Sequence, residues 1–179
     1  GVLSSDARKS IQYGQQIGLP ESRAYPTVSQ MLDAEKQRDD SADVIAVMTP
    51  NDTHYEYSMA ALDIGFDVIC DKPMTNTLEE AKALVHKVKE TGRIFCLTHN
   101  YTGYPMVKLA RDMVRQGDLG KIYKVVVQYP QGWLIRAIEK EGQQQASWRT
   151  DPKQSGAAGC MGDIGTHAEN LAEYITGLK

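Results

Sequence analysis

The chain has 179 residues, 41% hydrophobic and 24% charged, a balance that suits a globular protein of one large domain or parts of two. A formal charge of -3, with Lys and Arg scattered, offers no basic stripe and excludes nucleic acid as an expected partner. Three cysteines without a C-x-x-C pair exclude a disulfide framework and a zinc site, so no metal is expected and a reducing cytoplasm is the expected compartment.

No apolar run approaches the roughly 18–20 residues of a membrane span, and Asp6, Arg8 and Lys9 interrupt any signal-peptide core; no membrane partner is expected. Asp6 is placed to cap a helix running to about Ile17, with Gly18 after it. Thr27 and Gln30 suit a capping box for a helix that turns Val28, Met31 and Leu32 inward. The nearly continuous apolar run 43–48 reads as a strand buried on both faces, ended by Thr49-Pro50-Asn51. Thr53 and Glu56 then open a helix with Tyr57, Ala60, Ala61 and Ile64 at helical spacing, closed by Gly65. The unit repeats as strand 67–70, a helix with Leu78, Ala81, Leu84, Val85 and Val88 on one face, Gly92, and strand 93–98. Strands separated by helices of this length indicate βαβ crossovers and a parallel sheet, hence an α/β fold.

Past residue 100 the pattern changes, and a boundary is expected between Thr98 and Tyr104, dividing the chain into 1–100 and 101–179. Pro105 suits the first turn of a helix carrying Met106, Ala110, Met113 and Val114, closed by Gly117. The run 121–129 alternates, with Tyr123, Val125, Val127 and Tyr129 on one face, as a strand of an open mixed or antiparallel sheet does. Residues 130–161 form a Gln- and Gly-rich segment too long for a simple connector. A last helix turns Ile164, Ala168, Leu171 and Ile175 inward.

Two elements carry the chemistry. Lys72, in Asp71-Lys72-Pro73, stands at the carboxyl end of a parallel strand, where open α/β sheets place their ligands. Taken alone, it reads equally as a surface lysine beside a turn. Asp163 and His167 lie four apart in Gly162-Asp163-Ile164-Gly165-Thr166-His167, on one flank continued by Asn170. An imidazole beside a carboxylate suits proton transfer near neutral pH; the plainer alternative is a capping Asp163 and a packed His167. Gly159, Gly162 and Gly165 allow a backbone or ligand to come close. Thr49-Pro50-Asn51, His54 and His99-Asn100-Tyr101 sit at the same sheet edge, as ligand contacts or as ordinary turn and hinge residues. Trp148-Arg149 suits a clamp on a planar ring or an anchor for the long segment.

Together, Thr49-Pro50-Asn51 with His54, Asp71-Lys72-Pro73 and the 162–167 stretch resemble, in order and spacing, the Gfo/Idh/MocA family of nicotinamide-dependent oxidoreductases. Asp71 stands where that family usually has Glu. The resemblance implies a Rossmann domain followed by an α+β domain. It implies hydride transfer between a secondary alcohol of a sugar or cyclic polyol and NAD or NADP. It assigns catalysis to Lys72, Asp163 and His167, with Tyr101 also bordering the substrate. Ser4, Thr49, Pro50, Asn51, His54, Asp71, Lys72, Asn100, Trp148 and Arg149 would line the cofactor. A homo-oligomer is expected for the full-length protein. A non-catalytic dinucleotide sensor and an NAD-assisted glycosidase are the alternatives.

One departure is plain: the G-x-G-x-x-G turn that cradles a pyrophosphate is absent. Gly1-Val2-Leu3 resembles the end of the second Rossmann strand, with Ser4, Ser5, Arg8 and Lys9 where a ribose or 2′-phosphate would lie. The chain thus reads as a partial Rossmann unit lacking its first βαβ, expected to bind dinucleotide poorly by itself.

Overall fold

Apolar residues at alternate positions of three short strands define the centre of the molecule. In the computed structural model, which describes residues 1–178, strands β1 (Val44–Val47), β2 (Asp67–Cys70) and β3 (Phe95–Leu97) form a parallel sheet in the order β1-β2-β3. Val44 pairs with Asp67 and Val68 with Phe95, so the carboxyl ends of the strands finish side by side. Ahead of the sheet lie α1 (Ala7–Gln16) and α2 (Val28–Lys36). The crossovers are α3 (His54–Ile64) and α4 (Leu78–Thr91), as parallel pairing requires.

The core gathers on the face these crossovers cover. Ile45, Val47, Val68 and Cys70 point into it and meet Leu32, Ala61, Leu62, Phe66 and Leu84. Val44, Met48 and Ile69 point the other way and are exposed. β1 is therefore buried on one face, not on both as its composition suggests. Its apolar run is fully used only where a helix lies over it.

Caps explain the helix ends. The Asp6 carboxylate accepts from the backbone of Arg8 and Lys9, and the Thr27 hydroxyl accepts from Gln30. Thr53 does not cap α3. Its hydroxyl instead donates to the Pro50 carbonyl at 2.7 Å and meets Thr49 Oγ1 at 2.6 Å, within a short 3-10 turn. The complete capping box is at α4, where Thr77 and Glu80 satisfy each other's backbone N–H groups.

Beyond residue 100, α5 (Pro105–Gln116) packs against α8 (Thr166–Thr176). Residues 121–130 pair with no strand among the described residues, and Tyr123 and Val126 are exposed. An alternating sequence makes a strand only when a neighbouring backbone completes its ladder, and none is present there. The 130–161 segment holds more order than expected: a 3-10 turn at Ile138–Glu141, then α6 (Gln144–Arg149) and α7 (Pro152–Ser155). Gly156 secures it to the first part of the chain. Its φ is +83°, and a Cβ there would lie 2.8 Å from Asn76 Oδ1. Gly159, Gly162 and Gly165 approach only their own local segment or nothing. Among the described residues no helix is long and apolar enough to cross a membrane.

Candidate active site

The turns after β1, β2 and β3 open onto one cavity of about 940 Å³, closed from the far side by the 130–161 segment and the start of α8. Its size is that of a cofactor or small-ligand site. Of the residues expected at the site, all but Ser4 line it. Ser4 Oγ accepts from the Asp6 N–H at 3.1 Å, beside the start of α1, and does not reach the cavity. Asn170, on the expected flank, lines a different surface cleft with Arg115.

Several lining residues brace the rim. The His54 ring is 1% exposed, its nitrogens 2.7 Å from the Pro73 carbonyl oxygen and 2.8 Å from that of Thr49. It ties the turn after β1 to the turn that carries Lys72, and its polar atoms are engaged there. Asp71 ties the end of β2 to both neighbours: its Oδ1 accepts from Thr98 Oγ1, just after β3, at 2.8 Å, and its N–H donates to the carbonyl of Val47 in β1. Asn51 Nδ2 donates to the Ser155 carbonyl at 3.2 Å, joining the rim to the long segment. The Lys72–Pro73 peptide is cis.

Lys72 crosses the cavity. Its Nζ lies 2.6 Å from Asp163 Oδ1 and donates as well to the Asp163 backbone carbonyl, with both side chains largely buried. Arg149 Nε approaches the second carboxylate oxygen at 3.6 Å. The Arg149 guanidinium stacks 4.2 Å from the Trp148 ring and lies 5.8 Å from that of Trp133. Asp163 therefore serves the cations, and neither caps a helix nor hydrogen-bonds His167. The local backbone explains this: Met161–Gly165 wind as a π-type turn into α8, which breaks the four-residue register of a regular helix.

His167 sits deeper. It is 5% exposed, and its buried Nδ1 has no hydrogen-bond partner among the described residues. The Tyr101 ring lies 4.3 Å from it and the His99 ring 5.7 Å, edge-on. Burial pushes the His167 imidazole below its ordinary value; the Lys72 cation and His99 push the same way, and Asp163 opposes them. His167 is thus neutral near pH 7, the form that accepts a proton. Tyr101 is pushed up to about 12, first by its hydrogen bond with Tyr129 (2.7 Å between oxygens) and then by burial. Its phenol stays protonated near neutral pH.

Sequence reasoning passed over the lining residues Trp133 and Gln145, and His99, weighed only as a ligand contact or hinge, stands behind the lining against the His167 ring. Gln145 Oε1 accepts from Trp148 and Arg149, holding the stacked pair. A signal existed for Trp133, because both tryptophans of the chain fall in the long segment. Among the described residues no cluster of three or more His, Cys, Asp or Glu is placed to hold a metal ion.

The sequence model of an oxidoreductase family with an NAD-binding Rossmann fold, GFO_IDH_MocA, matches residues 1–99, and that of the GFO/IDH/MocA C-terminal domain matches 107–179. The uncharacterized oxidoreductase YfiI of Bacillus subtilis is 32% identical over 98% of this chain and 44% of its own length. Levoglucosan dehydrogenase of Pseudarthrobacter phenanthrenivorans is 34% identical over 75% of this chain and 33% of its own. An inositol dehydrogenase homolog from Azotobacter vinelandii, solved with NAD+, superposes with a TM-score of 0.93 at 34% identity, covering 99% of this chain and 45% of that one. The chain spans under half the length of these relatives.

Proposed function

This chain belongs to the Gfo/Idh/MocA family of NAD-binding oxidoreductases, and we propose that it carries the reacting face of an enzyme that oxidises a secondary alcohol of a sugar or cyclic polyol with NAD or NADP. One observation carries the reading: a part-buried ammonium from the turn after β2 and a buried neutral imidazole from α8 line the same cavity. The relatives named for levoglucosan and inositol support a sugar or polyol, and a relative named scyllo-inositol 2-dehydrogenase (NADP(+)) keeps NADP in view.

The donor set fits the nicotinamide end of such a cofactor. Lys72 and Asn100 stand where ribose hydroxyls would be met, and Trp148 with Arg149 offers a planar stack for a ring and carboxamide. Thr49 and Pro50 border the same space, with His54, Asn51 and Asp71 holding the rim. Among the described residues no glycine lines the cavity, so the lining does not supply a pyrophosphate cradle. When bound, the nicotinamide supplies a hydride acceptor. The chain's own residues do the rest. His167 takes the hydroxyl proton, and the Lys72 ammonium, desolvated beside Asp163, meets the developing alkoxide. Asp163 shares its carboxylate between Lys72 and Arg149, fixing the ammonium's aim. Tyr101 borders the substrate with a protonated phenol. A sensor without turnover would have no use for this acid/base pair.

We place residues 1–100 in the dinucleotide-binding part and 101–179 at the beginning of an α+β substrate part. We further propose a homo-oligomer in a reducing cytoplasm, a compartment the three free cysteines support. The test is a screen of the full-length protein over cyclic polyols and aldoses, following reduced nicotinamide by its near-ultraviolet absorbance. Reduced cofactor accumulating in step with oxidised sugar is the expected result. Glycoside cleavage without net cofactor reduction, or no reduction with any polyol or aldose, would overturn the reading.

A further inference from the structure

We propose that His99 is a second imidazole of the proton path, receiving the proton that His167 removes from the substrate hydroxyl and passing it towards solvent. The inference rests on the alcohol-oxidation reading above and adds a residue to it.

The observation is a pair of orphaned nitrogens. His99 Nε2 and His167 Nδ1 are both buried, and neither has a hydrogen-bond partner among the described residues. Buried polar atoms are nearly always partnered, so two exceptions on adjacent rings call for an explanation. The rings meet edge-on, centroids 5.7 Å apart and planes at 67°. Simple packing would be served as well by Phe, which carries no orphan. The His99 backbone is pinned at the end of β3: its N–H donates to Leu97, and Thr102 Oγ1 donates to its carbonyl at 2.8 Å. The ring therefore has a fixed position relative to α8.

The surrounding charges suit a transient stop for a proton. Burial and the Lys72 cation push His99 below its ordinary value, and Glu169 on α8 partly opposes them. Lys72, His99 and burial act on His167 in the same direction, against Asp163. Two neutral imidazoles side by side hold one extra proton between them and resist a second. Tyr101, the other ring against His167, keeps its own proton and is no acceptor. The step balances: the substrate O–H bond breaks and an N–H bond forms on His167. The two nitrogens do not hydrogen-bond each other, so the proton on the opposite ring nitrogen, Nδ1, then moves to His99 Nε2 through one bridging water. The electron pair of the substrate C–H bond leaves as hydride to the oxidised nicotinamide, so no further oxidant is needed.

Two variants of the full-length protein test this. His99→Phe keeps a planar ring and is expected to lower turnover by about tenfold or more with KM little changed. His99→Ala is expected to lose as much and to regain turnover when free imidazole is added, following the concentration of its neutral form. Full turnover in His99→Phe, or a His99→Ala defect that imidazole does not relieve, overturns the proposal. A second readout needs no turnover. With nitrogen-labelled histidine, NMR is expected to show His99 and His167 titrating as a coupled pair in two separated steps, and either ring titrating in one step at higher pH once the other is Phe. Independent titration in the unaltered protein overturns the relay alone. Coupled titration without reduction of cofactor by any polyol or aldose overturns the oxidation reading, and the relay with it.

Discussion

Replacing Lys72 with methionine is expected to lower turnover about a hundredfold or more while leaving cofactor affinity much less affected. The reason is where charge develops. An alcohol that loses its proton before or as hydride departs carries negative charge on oxygen, and a preorganised cation in a water-poor site stabilises that charge by about 3 kcal/mol. Lys72 is already desolvated and aimed, with Nζ held 2.6 Å from Asp163 Oδ1. Methionine keeps most of the side-chain volume and removes the ammonium. It also leaves Asp163 with Arg149 as its remaining cation, at 3.6 Å, so a modest fall in melting temperature is expected beside the kinetic loss. Turnover and cofactor affinity measured on the same preparation separate the two effects. Turnover unchanged in a folded Lys72→Met variant would remove Lys72 from the chemistry.

His167→Ala is expected to cost at least as much, roughly a hundredfold to ten-thousandfold in turnover, because it removes the proton acceptor itself. It also carries a pH signature. Burial, Lys72 and His99 together place the His167 imidazole below its ordinary value of about 6.5. The basic form thus predominates from neutral pH down to that lowered value, and turnover falls only as pH drops through it. In His167→Ala this acidic limb disappears from the residual rate, which then follows hydroxide or solvent. A pH–rate profile of both proteins reads the effect. An acidic limb preserved in the variant would assign the base elsewhere.

Much of the fold could be read from local signals. Asp6 and Thr27 as caps, glycines in left-handed conformation after α3, α4 and α5, and the strand–helix alternation all fall where their chemistry places them. Errors arose where an outcome depended on a distant partner. Thr53 turned its hydroxyl to Pro50 and Thr49, a competition that the spacing to Glu56 does not reveal. The 121–129 run has the right alternation for a strand but pairs with no strand among the described residues. β1 looked buried on both faces because composition records how apolar a strand is, not whether a second layer covers it.

At the site, the strand-end rule found Lys72, Asn100 and Tyr101, since a parallel sheet delivers all its carboxyl ends to one edge. Helical spacing found Asp163 and His167 but mistook their relation. The π-type turn at Met161–Gly165 gives Asp163 to Lys72 instead of to the imidazole. His54 was visible as a rim residue, and only its two backbone carbonyls show that it acts as a brace. His99 was visible as a strand-end polar residue, but its unpartnered Nε2 beside the His167 ring is recorded by no sequence pattern.

Lys72 and His167 are held here to act on one and the same hydroxyl, and combining Lys72→Met with His167→Ala in the full-length protein tests this most directly. Groups that work as a unit lose little more together than the worse one loses alone. The double variant is therefore expected to turn over a polyol at about the rate of the slower single variant. Losses that multiply, each substitution keeping its full effect in the presence of the other, would mean that the ammonium and the imidazole serve different steps, and would contradict the shared site.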